Sequence, residues 1–490
     1  MVSNKSNYKA IVRILGTISL IIGITMLIPL CFAAATHETA AIHAFGICAP
    51  VTIAIGLILV VAFRFDRSDF HSRDGFLIVT LCWLLASLVG MFPYQLSGVT
   101  DSWIDAFFES TSGMSTTGCT ILPYGVTSHS LLLWKTLSCW LGGMGILVFV
   151  ISVLPALGIS GQTIVRAEAP GPVYQKTTTR ITNSTRALYI TYALFTVIEY
   201  FLLMCSGEMT RFEAAITALG TVSTGGLSPV PGGIASFNSI YVEVVIAIFC
   251  MLASINFVLY QHVVSGRIRE AIRDVEMRAF LVIILFSTIV CTIGLLRAGS
   301  HDLPHAIGEA FFQSASMSST AGYVKTSGLI WPVSCQFILL TSMIIGGCAS
   351  STAGSVKVVR ILVMLRLISR GCIRRIHPRS VVAVKVGGNA VSAQVVSNIT
   401  AFLLTFAGIT ILSGLVLSLQ GYDAETNLTT AIAMLSNTGT AVTHAVATGC
   451  FSFYEDPILK LYLCGLMITG RLELFTVIIL FTRNFWGRNR

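Results

Sequence analysis

Ten long apolar runs follow one another along the 490-residue chain and constrain its fold more than any other feature. A helix needs roughly 20 apolar residues to cross about 30 Å of hydrocarbon. The runs that reach or approach this length are 14–35, 47–63, 76–96, 131–157, 187–205, 240–260, 279–296, 337–368, 396–419 and 458–481. Because only 11% of the residues are charged, we predict an all-α integral membrane protein with ten transmembrane helices.

The Lys and Arg residues are distributed between these runs as the positive-inside rule requires if both termini are cytoplasmic. Most of the 31 basic residues then fall in cytoplasmic segments, so the net charge of +9 indicates membrane topology rather than nucleic-acid binding. The first run follows Lys5, Lys9 and Arg13, which leaves open a cleaved signal peptide instead of a retained anchor. The basic segment 357–385 could attract anionic lipid or help to dock an acidic regulator.

Four external connections contain a semi-apolar stretch that is too short to cross a membrane and ends in Gly: 105–118, 211–225, 309–322 and 427–439. The first and third share an acidic residue followed by Ala-Phe-Phe, with Gly thirteen positions after the acid. This agreement predicts an internal repeat of helix, pore loop and helix. We divide the chain into a two-helix extension at 1–70 and pore repeats at 71–165, 166–270, 271–385 and 386–490, in pseudo-fourfold arrangement.

The four stretches have the chemistry of a cation path. Irregular backbone at membrane depth is tolerated where it lines a wet cavity, helix C-termini stabilise cations, and carbonyl oxygens can replace hydration water. A single Thr-Gly pair often only packs helices, whereas four at matching places favour a filter. The predicted filter residues are Thr116, Thr117, Gly118; Ser223, Thr224, Gly225; Thr320, Ala321, Gly322; and Asn437, Thr438, Gly439, followed by Cys119, Gly226, Tyr323 and Thr440. Ala321 stands where the other three loops have Thr, which weakens the third.

Small residues interrupt the eighth run and are candidates for a gate: Gly346, Gly347, Cys348, Ala349, Ser350, Ser351, Thr352, Ala353 and Gly354. The alternative is a kink or a close helix crossing. Arg471 lies inside the last run, where a charge needs a wet cavity or a partner. It is a candidate pore barrier, and an ion pair with Glu473 or Glu199 is the alternative. Glu199 and Glu243 also lie within runs and could couple protons, and Lys135 is expected to snorkel to the outer surface.

Several motifs together resemble one family: Trp140-Leu-Gly-Gly-Met-Gly-Ile146, Arg166-Ala-Glu-Ala-Pro-Gly-Pro172, Ser223-Thr-Gly-Gly226, Ile255-Asn-Phe257, Gly346 to Gly354 followed by Lys357 and Arg360, and Gly470-Arg-Leu-Glu473. The chain resembles the potassium-uptake membrane subunits of the TrkH/KtrB/HKT superfamily, most closely the TrkH type, over nearly its whole length. The two extra N-terminal runs are similar to TrkH-type chains.

The resemblance implies a K+-conducting pore with one filter glycine per repeat, an intramembrane gating loop at Gly346 to Gly354 and a pore arginine at Arg471. Sodium-preferring plant members carry Ser in the first loop, so Gly118 favours potassium. The resemblance further implies a homodimer in the bacterial cytoplasmic membrane that binds a cytosolic TrkA-like ring regulated by ATP/ADP and NAD(H). This chain has no phosphate-binding loop motif, so we expect no cofactor on it and K+ as the transported ion.

Two other classes of function are alternatives. A proton- or sodium-coupled symporter could also use discontinuous helices, although such transporters are commonly built from inverted repeats, and all four loops here open to one side. A membrane enzyme is disfavoured because the sequence has no HExxH, GxSxG or paired catalytic acids.

Overall fold

The computed structural model describes residues 8–63, 72–122, 127–145, 181–299, 302–325, 331–380, 382–441 and 450–486. The regular secondary structure of these residues is helical apart from one short antiparallel hairpin of β1 (Lys385–Val386) and β2 (Asn389–Ala390). In chain order, the α-helices are α1 Tyr8–Thr36, α2 Thr39–Ala62, α3 Ser72–Gly90, α4 Phe92–Leu96, α5 Trp103–Met114, α6 His129–Gly143, α7 Ile181–Met204, α8 Arg211–Val222, α9 Ile240–Ser254, α10 Phe257–Val264, α11 Ile268–Ile272, α12 Val275–Arg297, α13 Leu303–Ser318, α14 Val333–Ile345, α15 Val358–Ile376, α16 Ala393–Ser418, α17 Ala424–Leu435, α18 Pro457–Arg471, α19 Phe475–Ile478 and α20 Arg483–Trp486.

Several of these helices are long and apolar enough to cross a membrane. Among the described residues six meet that condition: α1, α2, α3 together with α4, α7, α12 and α16. Two bent pairs, α9 with α10 and α18 with α19, raise the number to eight if each pair is one span. The predicted run 131–157 is described only as far as residue 145, and the run 337–368 consists of α14 and α15 on either side of a loop. The exact number of ten spans therefore stays a prediction.

Two predicted helices are not continuous. The run 240–260 bends by 93° between α9 and α10, and the run 458–481 bends by 113° between α18 and α19. At the first bend the Asn256 side chain accepts a hydrogen bond from the Val258 N–H at 2.9 Å and so caps a new helix. At the second bend Glu473 and Leu474 have left-handed backbone, with φ of 53° and 57°. The apolar pattern predicted straight helices here, but a side-chain cap at the first bend and left-handed backbone at the second interrupt them.

The four semi-apolar stretches form short helices, α5, α8, α13 and α17. Each is 12 to 16 residues long, too short to cross a bilayer. The N-caps are Ser102, Thr210, Asp302 and Asp423, residues that favour helix starts because their side chains can accept from free N–H groups. All four helices end at a serine C-cap: Ser115, Ser223, Ser319 and Ser436.

The two N-terminal helices form a hairpin that packs beside the first repeat. Helices α1 and α2 cross closely at Gly16 and Gly56, where a Cβ on Gly56 would lie 2.8 Å from the Gly16 carbonyl oxygen. Small residues permit such backbone contact between membrane helices. Ile14 and Phe45 of this hairpin share a buried cluster with Trp134 of α6. The extension is therefore packed against the repeat that follows it.

Candidate ion-conduction site

Each short helix is followed by a four-residue turn with the same backbone. The first residue is the serine C-cap, and the second and fourth residues have left-handed φ values between 55° and 78°. We call these segments turns 1 to 4: Ser115-Thr116-Thr117-Gly118, Ser223-Thr224-Gly225-Gly226, Ser319-Thr320-Ala321-Gly322 and Ser436-Asn437-Thr438-Gly439. A β-branched residue rarely adopts left-handed backbone, so three threonines at the second position mark a strained, shared geometry.

This geometry corrects one predicted equivalence. The residue that corresponds to Gly118 in the second repeat is Gly226, with φ of 58°, and not Gly225. Gly225 corresponds to Thr117 and Ala321. The prediction aligned Thr-Gly pairs, whereas the common feature is a serine three residues before the left-handed glycine. In this alignment Ala321 occupies the third position, which is Thr in turns 1 and 4 and Gly in turn 2, so turn 3 is no longer the one turn without Thr there.

Backbone hydrogen bonds orient the carbonyl groups of the turns. In each turn the N–H groups of the third and fourth residues donate to one carbonyl oxygen of the preceding helix, at 2.8 to 3.4 Å. The accepting residues are Ser112, Gly220, Ser316 and Ala433. The N–H and C=O of a trans peptide point in opposite directions. The carbonyl oxygens of the second and third residues therefore point away from the helix in every turn.

The four turns contact one another in a closed cycle. The glycine of each turn lies so close to the third residue of another turn that a Cβ would overlap its carbonyl oxygen. The pairs, glycine first, are Gly118 with Gly225, Gly226 with Ala321, Gly322 with Thr438, and Gly439 with Thr117. Only glycine leaves room for the neighbouring oxygen at this position. The carbonyl groups of the four turns consequently converge on a common region.

The loop between α14 and α15, residues 346–357, lies directly against the second residues of the turns. We call it the interhelical loop; it includes the predicted gate. The Thr224 hydroxyl donates to the Thr352 carbonyl oxygen at 3.1 Å, and the Gly354 N–H donates to the Thr320 hydroxyl at 2.8 Å. A Cβ on Gly354 would overlap the Ser436 carbonyl oxygen. The loop thus contacts turns 2, 3 and 4.

Two carboxylates hold the ends of the interhelical loop. One oxygen of Glu276, in the first turn of α12, accepts from the N–H groups of Ala349 at 2.7 Å and Val359 at 3.2 Å. Glu473, at the bend between α18 and α19, forms an ion pair with Arg360 in the first turn of α15. The Arg360 guanidinium also lies 4.0 Å from the centre of the Phe402 ring. Both ends of the loop are therefore tied to neighbouring helices.

Arg471 joins the interhelical loop to the first repeat. Its guanidinium donates to the Thr352 carbonyl oxygen at 2.8 Å and to the carbonyl oxygens of Gly142 and Gly143 at 2.7 and 2.6 Å. Glu473, one of the two predicted alternative partners, pairs with Arg360 instead. The positive charge of Arg471 lies on the same side of the turns as the interhelical loop.

A cavity of about 480 Å³ lies against the glycine ends of the turns and is lined by Gly118, Gly226, Gly322 and Thr440. Glu109 and Lys135 also reach its wall. The prediction that Lys135 snorkels is wrong: the residue is only 5% exposed, and its ammonium group lies 2.5 Å from a Glu109 carboxylate oxygen. No local pattern predicted this pair, because its members are 26 residues apart and on different helices.

The two carboxylates considered for proton coupling have different environments. Glu243 forms an ion pair with Lys325 at 2.9 Å. Glu199 in α7 is fully buried; neither of its oxygens has a hydrogen-bond partner of good geometry among the described residues, and the Thr221 side chain lies near the carboxyl group. The motif Arg166 to Pro172 lies outside the described residues.

Comparison with known proteins places this architecture in a family. The model of the TrkH family, described as cation transport protein, matches residues 42–488. The chain belongs to the TrkH family. It is 35% identical to the Trk system potassium uptake protein TrkH of Salmonella typhimurium, over 98% of this chain and 99% of that protein. It is 32% identical to TrkG of the Trk potassium uptake system of Escherichia coli, over 99% of each chain.

A solved structure agrees with the same assignment. The crystal structure of the potassium transporter TrkH from Vibrio parahaemolyticus superimposes with a TM-score of 0.87 at 32% identity, over 98% of this chain and 100% of that one. The predicted resemblance is therefore confirmed. Since the family consists of cation transport proteins, the chain is a multi-pass membrane transporter, and the prediction that it is not an enzyme is confirmed.

Proposed function

We propose that this chain is the pore-forming subunit of a potassium uptake system in the bacterial cytoplasmic membrane. The observation that carries the proposal is the closed cycle of turns 1 to 4, in which eight carbonyl oxygens point away from the short helices. Backbone carbonyls that replace the hydration shell are a known basis of K+ selectivity. The relatives in Salmonella typhimurium and Escherichia coli bear the name of potassium uptake proteins, which supports K+ as the transported ion.

In this proposal four helix–loop–helix repeats surround one conduction axis, and the two-helix extension lies beside them. Ten helices span the membrane, with both termini cytoplasmic. The filter consists of turns 1 to 4, with Gly118, Gly226, Gly322 and Gly439 as its glycines. The C-terminal ends of the four short helices contribute partial negative charge near the ion.

The interhelical loop serves as the gate, and Arg471 as an electrostatic barrier below the filter. The contacts of Thr352 with both Thr224 and Arg471 support this role, because they bring the loop and a positive charge together against turn 2. A cation that passes must meet this charge in a low-dielectric setting, where Coulomb repulsion is strong. Opening requires the loop to leave the turns.

The membrane potential drives uptake without chemical energy at this subunit, since one elementary charge gains about 2.3 kcal/mol per 100 mV. The proposed assembly is a homodimer with a cytosolic, TrkA-like nucleotide-binding ring, and the name of a Trk system given to the relatives supports partner subunits. The basic helix α15, which carries Arg366, Arg370 and Arg374, offers a surface for anionic lipid headgroups.

The test uses the purified chain alone in liposomes. Rb+ uptake is measured under an inside-negative potential, with K+ and Na+ as competitors and protein-free liposomes as the control. Uptake that K+ blocks and Na+ hardly affects is expected. Absence of uptake, also after addition of a cytosolic ring, would contradict the proposal.

The second candidate is a proton-coupled symporter, which the buried Glu199 favours. A charged carboxylate without a partner is costly in an apolar interior, so the group would carry a proton. In liposomes with a pH gradient and no membrane potential, uphill Rb+ accumulation that Glu199→Gln abolishes would support coupling. Purely downhill flux that is unchanged in Glu199→Gln would exclude it.

A further inference from the structure

In the part of the chain that the structure describes, a buried ion pair contacts the residues that directly follow turn 1. Glu109 of α5 and Lys135 of α6 are 1% and 5% exposed, and their charged groups are 2.5 Å apart. Isolated charges are not stable at such burial, so the pair forms a unit. Position 109 corresponds to Thr217, Gln313 and Thr430 in the other repeats, so only the first repeat has a carboxylate there.

The pair binds the segment that leaves turn 1. The Lys135 ammonium donates to the Cys119 carbonyl oxygen at 2.7 Å, and the Ser112 hydroxyl donates to the same oxygen at 2.6 Å. One Glu109 oxygen accepts from the Thr120 hydroxyl at 2.7 Å and the Ile121 N–H at 2.8 Å. Residues 119–121 are thus fixed to α5 and α6 by charge-assisted hydrogen bonds, which are stronger than neutral ones.

The third repeat performs the same task without charge. Gln313 and Ser316 donate to the Tyr323 carbonyl oxygen at 3.1 and 2.8 Å, as Lys135 and Ser112 do for Cys119. The residue after the glycine is therefore held in the same way in turns 1 and 3, by a charged donor in the first case and by a neutral donor in the second. We call these the charged and the neutral version. Only the charged version places an ammonium group beside the glycine end of a turn, where the cavity begins.

We propose that Glu109 and Lys135 are positioning residues for ion selectivity: Lys135 fixes the exit of turn 1, and Glu109 cancels the lysine charge that would otherwise repel cations from the cavity. This inference rests on the proposed function. The two residues have separable effects. Loss of Lys135 loosens turn 1 and lowers selectivity, whereas loss of Glu109 alone leaves an uncompensated positive charge beside the ion path.

The test compares Lys135→Met, Glu109→Gln and the double variant in liposomes, with the wild-type chain alongside. We expect Lys135→Met to lower the K+/Na+ permeability ratio by roughly tenfold or more, the scale of one hydrogen bond to a charged group. Glu109→Gln should in addition raise the half-saturating K+ concentration. The double variant, whose Gln matches Gln313 and can donate to the Cys119 carbonyl oxygen, should restore half-saturation and recover part of the selectivity that Lys135→Met loses. A merely structural pair would not produce this reversal.

Lys460→Met is the matched control, because Lys460 pairs with Asp105 of the same helix α5 at 2.6 Å, whereas Lys135 donates to residue 119. Should Lys135→Met fail to fold, Ser112→Ala removes the other donor to the Cys119 carbonyl oxygen and should lower the ratio similarly. Unchanged ratio and half-saturation in the folded variants, or equal losses in Lys460→Met, would overturn the inference. Selective wild-type flux in the same experiment would leave the proposed function standing.

Discussion

At the scale of single residues, the turns combine strain with close packing. Thr116 and its three counterparts have left-handed backbone, which costs of order 1 kcal/mol or more for a residue other than glycine. The hydrogen bonds to Ser112 and its counterparts hold this conformation in place. The same strained geometry occurs in all four turns. In each turn it directs backbone carbonyl oxygens away from the preceding helix.

Replacement of Gly118 by Ser should lower selectivity. Its Cβ would overlap the Gly225 carbonyl oxygen, so that oxygen must move away from its place in the cycle. We expect the K+/Na+ permeability ratio to fall by about tenfold, equivalent to about 1.4 kcal/mol of differential binding. Reversal potentials or competition for Rb+ uptake measure the ratio. An unchanged ratio would undermine the filter assignment.

The two glycines of turn 2 should respond differently to Ala. In Gly226→Ala the new Cβ would overlap the Ala321 carbonyl oxygen, and the residue has left-handed φ. In Gly225→Ala the Cβ would meet the Cys139 side chain at 2.9 Å, which can shift more easily than backbone. We therefore expect Gly226→Ala to lose K+ selectivity more than Gly225→Ala.

Equal folding of the two turn-2 variants is checked by their melting temperatures in detergent. The opposite order of effects on selectivity would favour Gly225 as the filter glycine. The outcome thus decides whether Gly225, which follows Thr224, or Gly226, which has left-handed backbone, is the equivalent of Gly118.

At the scale of elements, the breaks between α9 and α10, between α14 and α15, and between α18 and α19 lie close to one another. Helix α9 ends beside Ala253 and Ser254, which accept from Thr352 and Cys348 of the interhelical loop. Helix α18 ends at Arg471, which donates to Thr352. The bends and the loop therefore form one connected region under the turns. Hydrogen bonds between these interruptions replace those that continuous helices would have made.

Glu276→Leu should favour the open state of the interhelical loop. The change removes two hydrogen bonds to Ala349 and Val359, together worth about 2 kcal/mol. We expect Rb+ flux through the chain alone to rise by at least several-fold without a change in the K+/Na+ ratio. Glu276→Gln keeps an accepting oxygen and serves as the control. Flux equal to wild type in Glu276→Leu would argue against Glu276 as a holder of the closed loop.

At the scale of the whole molecule, the predicted topology can be tested with two exposed cysteines. Cys205 follows α7 and Cys372 lies in α15, and both are exposed. If the termini are cytoplasmic, Cys205 is external and Cys372 is cytoplasmic. In single-cysteine variants a membrane-impermeant maleimide should label Cys205 in intact spheroplasts and Cys372 only in inverted vesicles. The reverse pattern would contradict the orientation.

The apolar runs predicted a helical membrane protein because hydrophobic length is a local property of the chain. The short helices were also predictable, since a semi-apolar stretch of about 12 residues cannot cross a bilayer. The sequence contains a serine three residues before both Gly118 and Gly226, and this serine indicates that the two glycines are equivalent. The sequence around them does not show that the turns should be aligned on this serine rather than on the Thr-Gly pairs. The bends at Asn256 and Glu473 were missed because apolar residues continue on both sides of them.

Hydrophobic length and short motifs were enough to predict the class of protein and its family, since both can be recognised within short segments of the chain. The folded chain was needed to show which glycine faces which carbonyl oxygen, which helices bend, and that Lys135 pairs with Glu109 and Arg471 with the interhelical loop. These features depend on contacts between residues that are distant along the chain. Packing of the helices determines which atoms lie beside a glycine and which group pairs with a buried charge. Neither can be read from a short segment of the chain.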